Sequence, residues 1–175
     1  MAMSREIAQL GAKVLRLTAE TVEDVHAVEI QQIIEAMQST LASTQGVGIA
    51  APQISESKRI IIVASRPTAR YPHAPQMAPT VMINPSFQAL SENKEKDWEG
   101  CLSIPGIRAL VPRYTKIMIQ YTDQEGVVIA LKLDGFVARV FQHEVDHLEG
   151  RVYLDSVEDI RNIIAENEYL KLIAD

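Results

Sequence analysis

The sequence predicts an α+β fold in which antiparallel sheets surround a central helix that carries a His-Glu-x-x-His motif, with further helices near the amino and carboxyl ends. Three observations support this fold class. Strand-like runs fill the middle of the chain, helical periodicity appears near residues 30, 140 and 163, and strands and helices do not alternate regularly. The last observation argues against a parallel, doubly wound sheet. The 175 residues suit one domain, which we expect to span residues 1–175.

The two terminal regions each predict a helix. The first is expected to begin near Thr21, where Asp24 three residues later is typical of a capping arrangement, and to end by Gly46. His26 would lie on this helix. A final, acidic helix is expected from Ser156 onward. The apolar residues of the first helix recur at helical spacing: Ile30, Ile33, Ile34, Met37 and Leu41.

The central part of the chain predicts strands and loops. The run RIIIVAS (59–65) is typical of a buried strand, and VMINPSF (81–87) of a short one. Residues 66–80 are rich in proline and predict a loop, while residues 95–112 predict irregular structure because they contain two prolines and two glycines. The runs TKIMIQYT and VVIALKL flank DQEG and therefore predict a hairpin. Helical periodicity resumes after Gly135 and continues through the motif helix.

Composition excludes several classes of function. The net charge is −6, so the chain as a whole offers no electrostatic attraction for nucleic acid. No apolar run reaches the roughly 18 residues of a membrane helix, and the first residues lack the apolar core of a secretory signal. The cytoplasm is the expected location. The single cysteine, Cys101, cannot form an intrachain disulfide, so it is a buried apolar residue, a nucleophile or a metal ligand.

The motif HEVDH places His143, Glu144 and His147 on one helix. Histidines four residues apart lie on the same helix face, where both imidazoles can bind one metal ion with the glutamate beside them as a proton shuttle. The alternative is a solvated polar stripe on an ordinary helix. Apolar neighbours at 137, 140, 141, 145 and 148 indicate a buried helix instead. Buried polar groups need partners, which favours the metal site.

The identity of the third ligand distinguishes between classes of hydrolase. Tyr153 stands where one class carries a third histidine, so that class is not favoured. Glu166 or Glu168 could serve as the downstream ligand of a zinc endopeptidase, although a solvated helix face is the better interpretation of both. Cys101 is the third candidate, and a thiolate with two imidazoles suits zinc or ferrous iron.

Three motifs occur in order: GVGIAAPQ (46–53), EGCLS (99–103) and HEVDH (143–147). Together they resemble the motifs of the peptide deformylase family, and the resemblance spans roughly residues 30–155. It implies a metal-dependent hydrolase that removes the N-formyl group from the amino-terminal formyl-methionine of newly synthesised proteins and releases formate. It implies formyl-methionyl nascent peptides and, transiently, the ribosome as partners, with no specific nucleic acid and no membrane.

The resemblance also implies a role for each motif residue. Cys101, His143 and His147 would bind one divalent metal, Fe(II) natively, with Zn(II) or Ni(II) as other occupants. Glu144 would act as general base and then as general acid. The oxyanion donors implied in the same way are Gln53 and Leu102. Arg108 would position the substrate backbone, and Phe136 and Val140 would form walls for the methionine side chain. The edges that pair with the substrate backbone would be Val47, Gly48 and Gly100.

Two features depart from a minimal member of that family. The loop at 66–79 is longer than a minimal connection and predicts altered access to the site. The carboxyl-terminal helix carries only Arg161 and Lys171 as cations, so it provides no basic tail for ribosome docking. The remaining acid of the motif, Asp146, is expected to orient a histidine or to pair with an arginine such as Arg108 or Arg139.

Overall fold

The computed structural model describes residues 3–174. Within them it contains three α-helices and eight strands, which confirms the predicted α+β class. The helices are α1 (Val28–Ala42), α2 (Gly135–Leu148) and α3 (Glu166–Ala174). The strands are β1 (Gly48–Ala50), β2 (Ile60–Ser65), β3 (Met77–Ala89), β4 (Lys94–Cys101), β5 (Ile104–Tyr114), β6 (Lys116–Thr122), β7 (Val128–Asp134) and β8 (Ile163–Ala165).

The strands form two antiparallel sheets around α2. The larger sheet has the order β1-β2-β3-β6-β7 and the smaller one β4-β5-β8. The motif helix α2 contacts strands of both sheets, mainly β1 and β2 on one side and β5 on the other. The predicted hairpin is present, since β6 pairs with β7 from Lys116 opposite Asp134 to Thr122 opposite Val128. None of the described helices is both long and apolar enough to cross a membrane.

Strand β2 is apolar throughout because it is covered on both faces. Successive side chains of a strand point to opposite sides. Ile60 and Ile62 pack in a cluster with α1, whereas Ile61 and Val63 pack in a second cluster with α2. The strand therefore fixes α2, and with it the HEVDH motif, against the centre of the larger sheet.

The first helix begins later than the sequence predicts. It starts at Val28, so His26 lies in the turn before it and Thr21 does not cap it. The segment before the helix is held instead by Asn84, which accepts a hydrogen bond from the Val22 N–H (2.9 Å) and donates one to the Val22 carbonyl (2.8 Å). This tertiary contact outweighs the local capping signal.

The prediction of irregular structure for residues 95–112 is wrong. These residues form most of β4 and β5, which pair from Lys94 opposite Tyr114 to Cys101 opposite Ile104. Proline is tolerated in a strand where no partner requires its missing N–H. Pro105 and Pro112 lie outside the stretch Ile107–Ala109, where β5 pairs on both sides. The glycine and proline content therefore does not interrupt the strands.

Two other elements differ in length from the prediction. Strand β3 spans 13 residues, and its register shifts between Ile83 and Ser86, where Pro85 is accommodated. The last helix begins at Glu166, because residues before it form 3-10 turns and then β8, which pairs with β5. This pairing places the start of α3 beside the strand that carries Arg108.

Candidate active site

The ligand atoms of Cys101, His143 and His147 converge at the centre of the molecule. All of them lie within 4.8 Å of one another, and Cys101 Sγ lies 3.4 Å from His147 Nε2. The two histidines come from α2, one turn apart, and the cysteine from the end of β4. The structure thus brings together the three residues that the sequence predicts as metal ligands.

The chemistry of this cluster fits a divalent metal. Burial lowers the pKa of His147 well below its ordinary value, so its ring is neutral and offers a lone pair. Among the described residues, neither His147 Nδ1 nor Glu144 Oε2 has a hydrogen-bond partner, although both are buried. A thiolate with two imidazoles is a donor set for zinc or ferrous iron. We expect such an ion to bind Cys101 Sγ and the ring nitrogens that face it, which for His147 is Nε2, 3.4 Å from that sulfur.

His143 is oriented by contacts on two sides of its ring. Its Nδ1 lies 2.9 Å from Glu99 Oε1, and Tyr153 stacks on it with centroids 5.7 Å apart. Burial opposes protonation of His143, but its hydrogen bonds to Cys101 and Glu99 hold the pKa well above the ordinary value. With Nδ1 engaged by Glu99, Nε2 is the nitrogen that is free to bind a metal. Tyr153 stands where another class of hydrolase carries a third histidine ligand. Here it stacks on His143 and supports that ring instead.

A buried ionic network lies behind the ligands. Glu99 accepts hydrogen bonds from Arg113 Nε (2.9 Å) and Arg139 Nη1 (2.8 Å), and Arg113 Nη1 also donates to Asp146 (2.6 Å). Burial would raise the pKa of Glu99, but the charge of Arg113 and the bond from His143 hold it far below its ordinary value. Asp146 was expected to orient a histidine or to pair with an arginine such as Arg108 or Arg139. Its partner is Arg113 instead.

Glu144 lies against β1 and faces the cleft. Its side chain is buried, and a Cβ added at Gly48 would lie 2.9 Å from Glu144 Cδ, so only glycine fits there without displacing the carboxylate. Burial raises the pKa of Glu144 to about 7. A carboxylate with a pKa near neutrality can both accept and return a proton.

Gln53 points its amide nitrogen toward the cluster. Its Oε1 accepts a hydrogen bond from the Ala50 N–H (2.9 Å), so the other end of the amide must be Nε2. That nitrogen lies 3.1 Å from Ser103 Oγ and 3.5 Å from Cys101 Sγ. The arrangement fits a donor directed at an oxygen held beside Cys101.

A cleft of about 310 Å³ opens onto the cluster. Its lining is mixed: apolar residues such as Phe136 and Val140 alternate with charged and polar ones such as Arg108 and Glu144. His147 lies behind it and is fully buried. The cleft brings together every other residue predicted for the site: Val47, Gly48, Gln53, Gly100, Cys101, Leu102, Arg108, Phe136, Val140, His143 and Glu144.

The two downstream glutamates do not reach the ligand cluster. Glu166 lies at the rim of the cleft, where Oε1 accepts a hydrogen bond from Arg108 Nη2 (3.0 Å) and forms an ion pair with Arg70 Nη2 (2.7 Å). Glu168 pairs with Lys171 on the surface. Neither glutamate therefore supplies the third ligand that the endopeptidase alternative requires.

Sequence reasoning missed Glu99, Arg113, Tyr71 and the role of Glu166. Tyr71 belongs to the proline-rich loop, and its hydroxyl accepts a hydrogen bond from Arg108 Nη1 (3.0 Å). For Glu99 a signal did exist, because it is the first residue of the EGCLS motif and precedes Cys101 by two positions. The other three are brought to the site by tertiary contacts that leave no periodic trace in the sequence.

The fold and this cluster define a metal-dependent hydrolase whose helix supplies two histidines and a carboxylate and whose neighbouring strand supplies a cysteine. A family model described as polypeptide deformylase matches residues 4–162. The chain is 52% identical over 167 residues to Peptide deformylase 2 of Nostoc sp., covering 95% of this chain and 93% of that protein. It is 42% identical over 159 residues to Peptide deformylase 1 of Nitrosomonas europaea, covering 91% and 90%.

A solved structure agrees with these sequence relatives. The class I type b peptide deformylase from Acinetobacter baumannii, bound to Met-Ala-Ser, superposes with a TM-score of 0.86 at 40% identity and covers 90% of this chain and all of that one. The chain belongs to the polypeptide deformylase family. It is an enzyme that removes the N-formyl group from newly synthesised peptides, and the family is metal-dependent.

Proposed function

We propose that Cys101, His143 and His147 hold one divalent metal ion and that Glu144 carries the proton during hydrolysis of the formyl amide. The observation that supports this proposal is the meeting of three convergent ligand atoms with a buried carboxylate that lines the same cleft. Fe(II) is the proposed native ion, and Zn(II) and Ni(II) suit the same donors. When bound, the ion supplies a Lewis acid that polarises oxygen and lowers the pKa of water.

Glu144 is proposed to move one proton across the reaction. It accepts the proton from the attacking water as the water oxygen forms a bond to the formyl carbon. It then delivers that proton to the amine nitrogen as the carbon–nitrogen bond breaks. This gives formic acid and the free amine, and the acid loses its remaining proton to water or to the amine, so the products are formate and a free amino terminus. A pKa of about 7 suits both transfers near neutral pH.

Gln53 and Leu102 are proposed to stabilise the oxyanion of the tetrahedral intermediate. The Nε2 of Gln53 is fixed toward Cys101 because Oε1 is bound to the Ala50 N–H. Leu102 follows Cys101 in the chain, so its N–H is adjacent to the cluster, and its side chain packs against Gly46. Preorganised donors of this kind typically account for about a hundred- to a thousandfold in rate each.

The rest of the cleft is proposed to bind the peptide. Phe136 and Val140, one turn apart on α2, form the walls for the methionine side chain. Arg108 positions the substrate backbone, and the neighbouring edges pair with it through Val47, Gly48 and Gly100. The Acinetobacter baumannii relative bound to Met-Ala-Ser supports a substrate that begins with methionine and continues beyond it.

The proposed partners are formyl-methionyl nascent peptides and, transiently, the ribosome, in the cytoplasm. A thiolate that binds a metal is vulnerable to oxidation, which favours a reducing compartment. The net charge of −6 supports the absence of nucleic-acid and anionic membrane partners. We also propose that residues 1–175 form a single catalytic domain, since α2 packs against both sheets.

The residue roles are tested by formate release from formyl-Met-Ala-Ser, with protein loaded with Fe(II) in the absence of oxygen. The substitution Glu144→Gln is expected to keep one metal per chain and to lose nearly all activity, whereas Cys101→Ala is expected to lose the metal. Glu149→Gln, which changes an exposed carboxylate just after α2, is the matched control and should behave as wild type. Full metal content in Cys101→Ala, or full activity in Glu144→Gln, would refute the assignments.

A further inference from the structure

The loop of residues 66–76, between β2 and β3, forms one wall of the cleft. Its Tyr71 ring packs on the Phe136 ring with centroids 4.8 Å apart, and its Arg70 lines the rim. The Tyr71 hydroxyl accepts a hydrogen bond from Arg108 (3.0 Å). The position of this loop therefore decides how the Phe136 wall is covered and where Arg108 points.

Glu166, the first residue of α3, links this loop to Arg108. Its Oε1 lies 3.0 Å from Arg108 Nη2 and 2.7 Å from Arg70 Nη2, so one carboxylate oxygen serves two guanidinium groups. Arg108 is buried and Glu166 is only partly exposed, which limits screening by solvent. The pairing of β8 with β5, with Ile164 opposite Arg108, brings Glu166 to this place.

Other contacts around this carboxylate hold α3 and the loop together. The Tyr169 hydroxyl donates to the Arg70 carbonyl (2.7 Å), and the Arg108 guanidinium lies 5.4 Å from the centre of the Tyr169 ring. These contacts are neutral or weakly directional. Without the charge of Glu166, two cations would remain side by side, and no other anion among residues 3–174 forms an ion pair with either. Their repulsion would move Arg70 and its loop away.

We infer that Glu166 is a positioning residue for substrate binding, which fixes Arg108 and the 66–76 loop so that Tyr71 covers the Phe136 wall. The inference rests on the proposed function of the cleft. The reacting groups are held by other contacts, since His143 is bound to Glu99 and Glu144 packs on β1. Loss of the Glu166 charge should therefore weaken peptide binding and leave the chemical step largely intact.

The first experiment separates KM from kcat for formyl-Met-Ala-Ser in the metal-loaded enzyme. Glu166→Gln is expected to raise KM about tenfold and to change kcat by less than about twofold. Glu166→Asp, which restores the charge, is expected to recover most of that loss. Glu168→Gln removes the same charge from the same helix, but this side chain pairs with Lys171 on the surface, so wild-type constants are expected.

The second experiment follows the loop without using activity. Trypsin cleaves after Arg70 when the loop is free, so Glu166→Gln should be cut between Arg70 and Tyr71 about tenfold faster than wild type or Glu168→Gln. Emission from Trp98, the only tryptophan, reports whether α3 stays in place, because its ring lies 5.9 Å from Tyr169. This emission should not change.

Several outcomes would overturn the inference. They are an unchanged KM in Glu166→Gln, a fall in kcat at constant KM, equal effects in Glu168→Gln, unchanged cleavage, or a shift in Trp98 emission that signals movement of α3 as a whole. If the wild-type enzyme released no formate, the proposed residue roles would fail, and the cleavage comparison would still decide whether Glu166 holds the loop.

Discussion

His143 Nδ1 lies 2.9 Å from Glu99 Oε1, and the other oxygen of that carboxylate binds two arginines. The ligand ring is therefore fixed by an anion that is itself held in place by Arg113 and Arg139. Such an outer carboxylate raises the basicity of the histidine and directs its second nitrogen at the metal. The geometry of the proposed metal site thus depends on a residue that is not one of its proposed ligands.

The substitution Glu99→Gln should weaken metal binding by about ten- to a hundredfold, because the histidine loses its charged partner. It should also lower the free energy of unfolding by about 3–5 kcal/mol, since Arg139 would remain buried without the anion that it binds and Arg113 would keep only Asp146 as an acidic partner among the described residues. Chelator competition and urea denaturation measure the two effects. Glu95→Gln, an exposed acid on the same strand, is the control. Wild-type metal affinity in Glu99→Gln would contradict this role.

The close approach of Gly48 to Glu144 predicts that a larger residue at position 48 lowers kcat. In Gly48→Ala the new methyl group would lie 2.9 Å from Glu144 Cδ, so the carboxylate must move. Misplacement of a catalytic group by about 1 Å can cost roughly a hundredfold in rate. We expect kcat to fall by that order while metal content stays at one per chain, as measured by formate release and elemental analysis.

A double-mutant cycle assigns this loss to Glu144. If the methyl group acts only by displacing the carboxylate, Gly48→Ala combined with Glu144→Gln should be no slower than Glu144→Gln alone. If the fold-losses in kcat of the two single variants multiply in the double variant, Gly48 acts on the substrate instead.

The proposed metal ligands follow in part from the sequence, because helical geometry brings two of them together. His143 and His147, four residues apart, must share a helix face. Cys101 was one candidate for the third ligand beside Glu166 and Glu168, and the resemblance of EGCLS to the peptide deformylase motif implied its role. The fold class followed from the hydrophobic pattern, which is clearest in buried elements: β2 is a continuous apolar run and α2 has helical periodicity.

The contacts around the ligands could not be predicted in the same way. Arg113 and Glu99 are 14 residues apart and meet only because β4 pairs with β5 in one register. The segment that contains them looked irregular, since proline and glycine signal breaks but do not show which strand edge tolerates them. Tyr71 and Glu166 are 95 residues apart, and both are placed by packing around Arg108.

The fixed orientation of the Gln53 amide predicts that loss of its N–H donor lowers kcat. Gln53→Glu preserves the acceptor for the Ala50 N–H but replaces the donor near Cys101 with an oxygen. We expect kcat to fall by about a hundred- to a thousandfold, as for loss of one oxyanion donor. Ser103→Ala is the comparison, because it removes a neighbour of Nε2 and leaves the donor in place. Equal losses in the two variants would argue against a direct role for the amide.

Removal of the metal should lower the stability of the whole domain. The three ligands come from α2 and from the end of β4, so an ion bound to them joins the central helix to the smaller sheet. An ion present at a hundred times its Kd contributes about 2.7 kcal/mol, which corresponds to a fall in Tm of roughly 5–10 °C in a domain of this size when a chelator removes it. Fe(II) or Zn(II) should restore the Tm and Mg²⁺ should not, because a thiolate with two imidazoles is a poor site for magnesium. In Cys101→Ala the chelator should have no effect on Tm, and a fall equal to that of wild type would show that the stabilising ion is bound elsewhere.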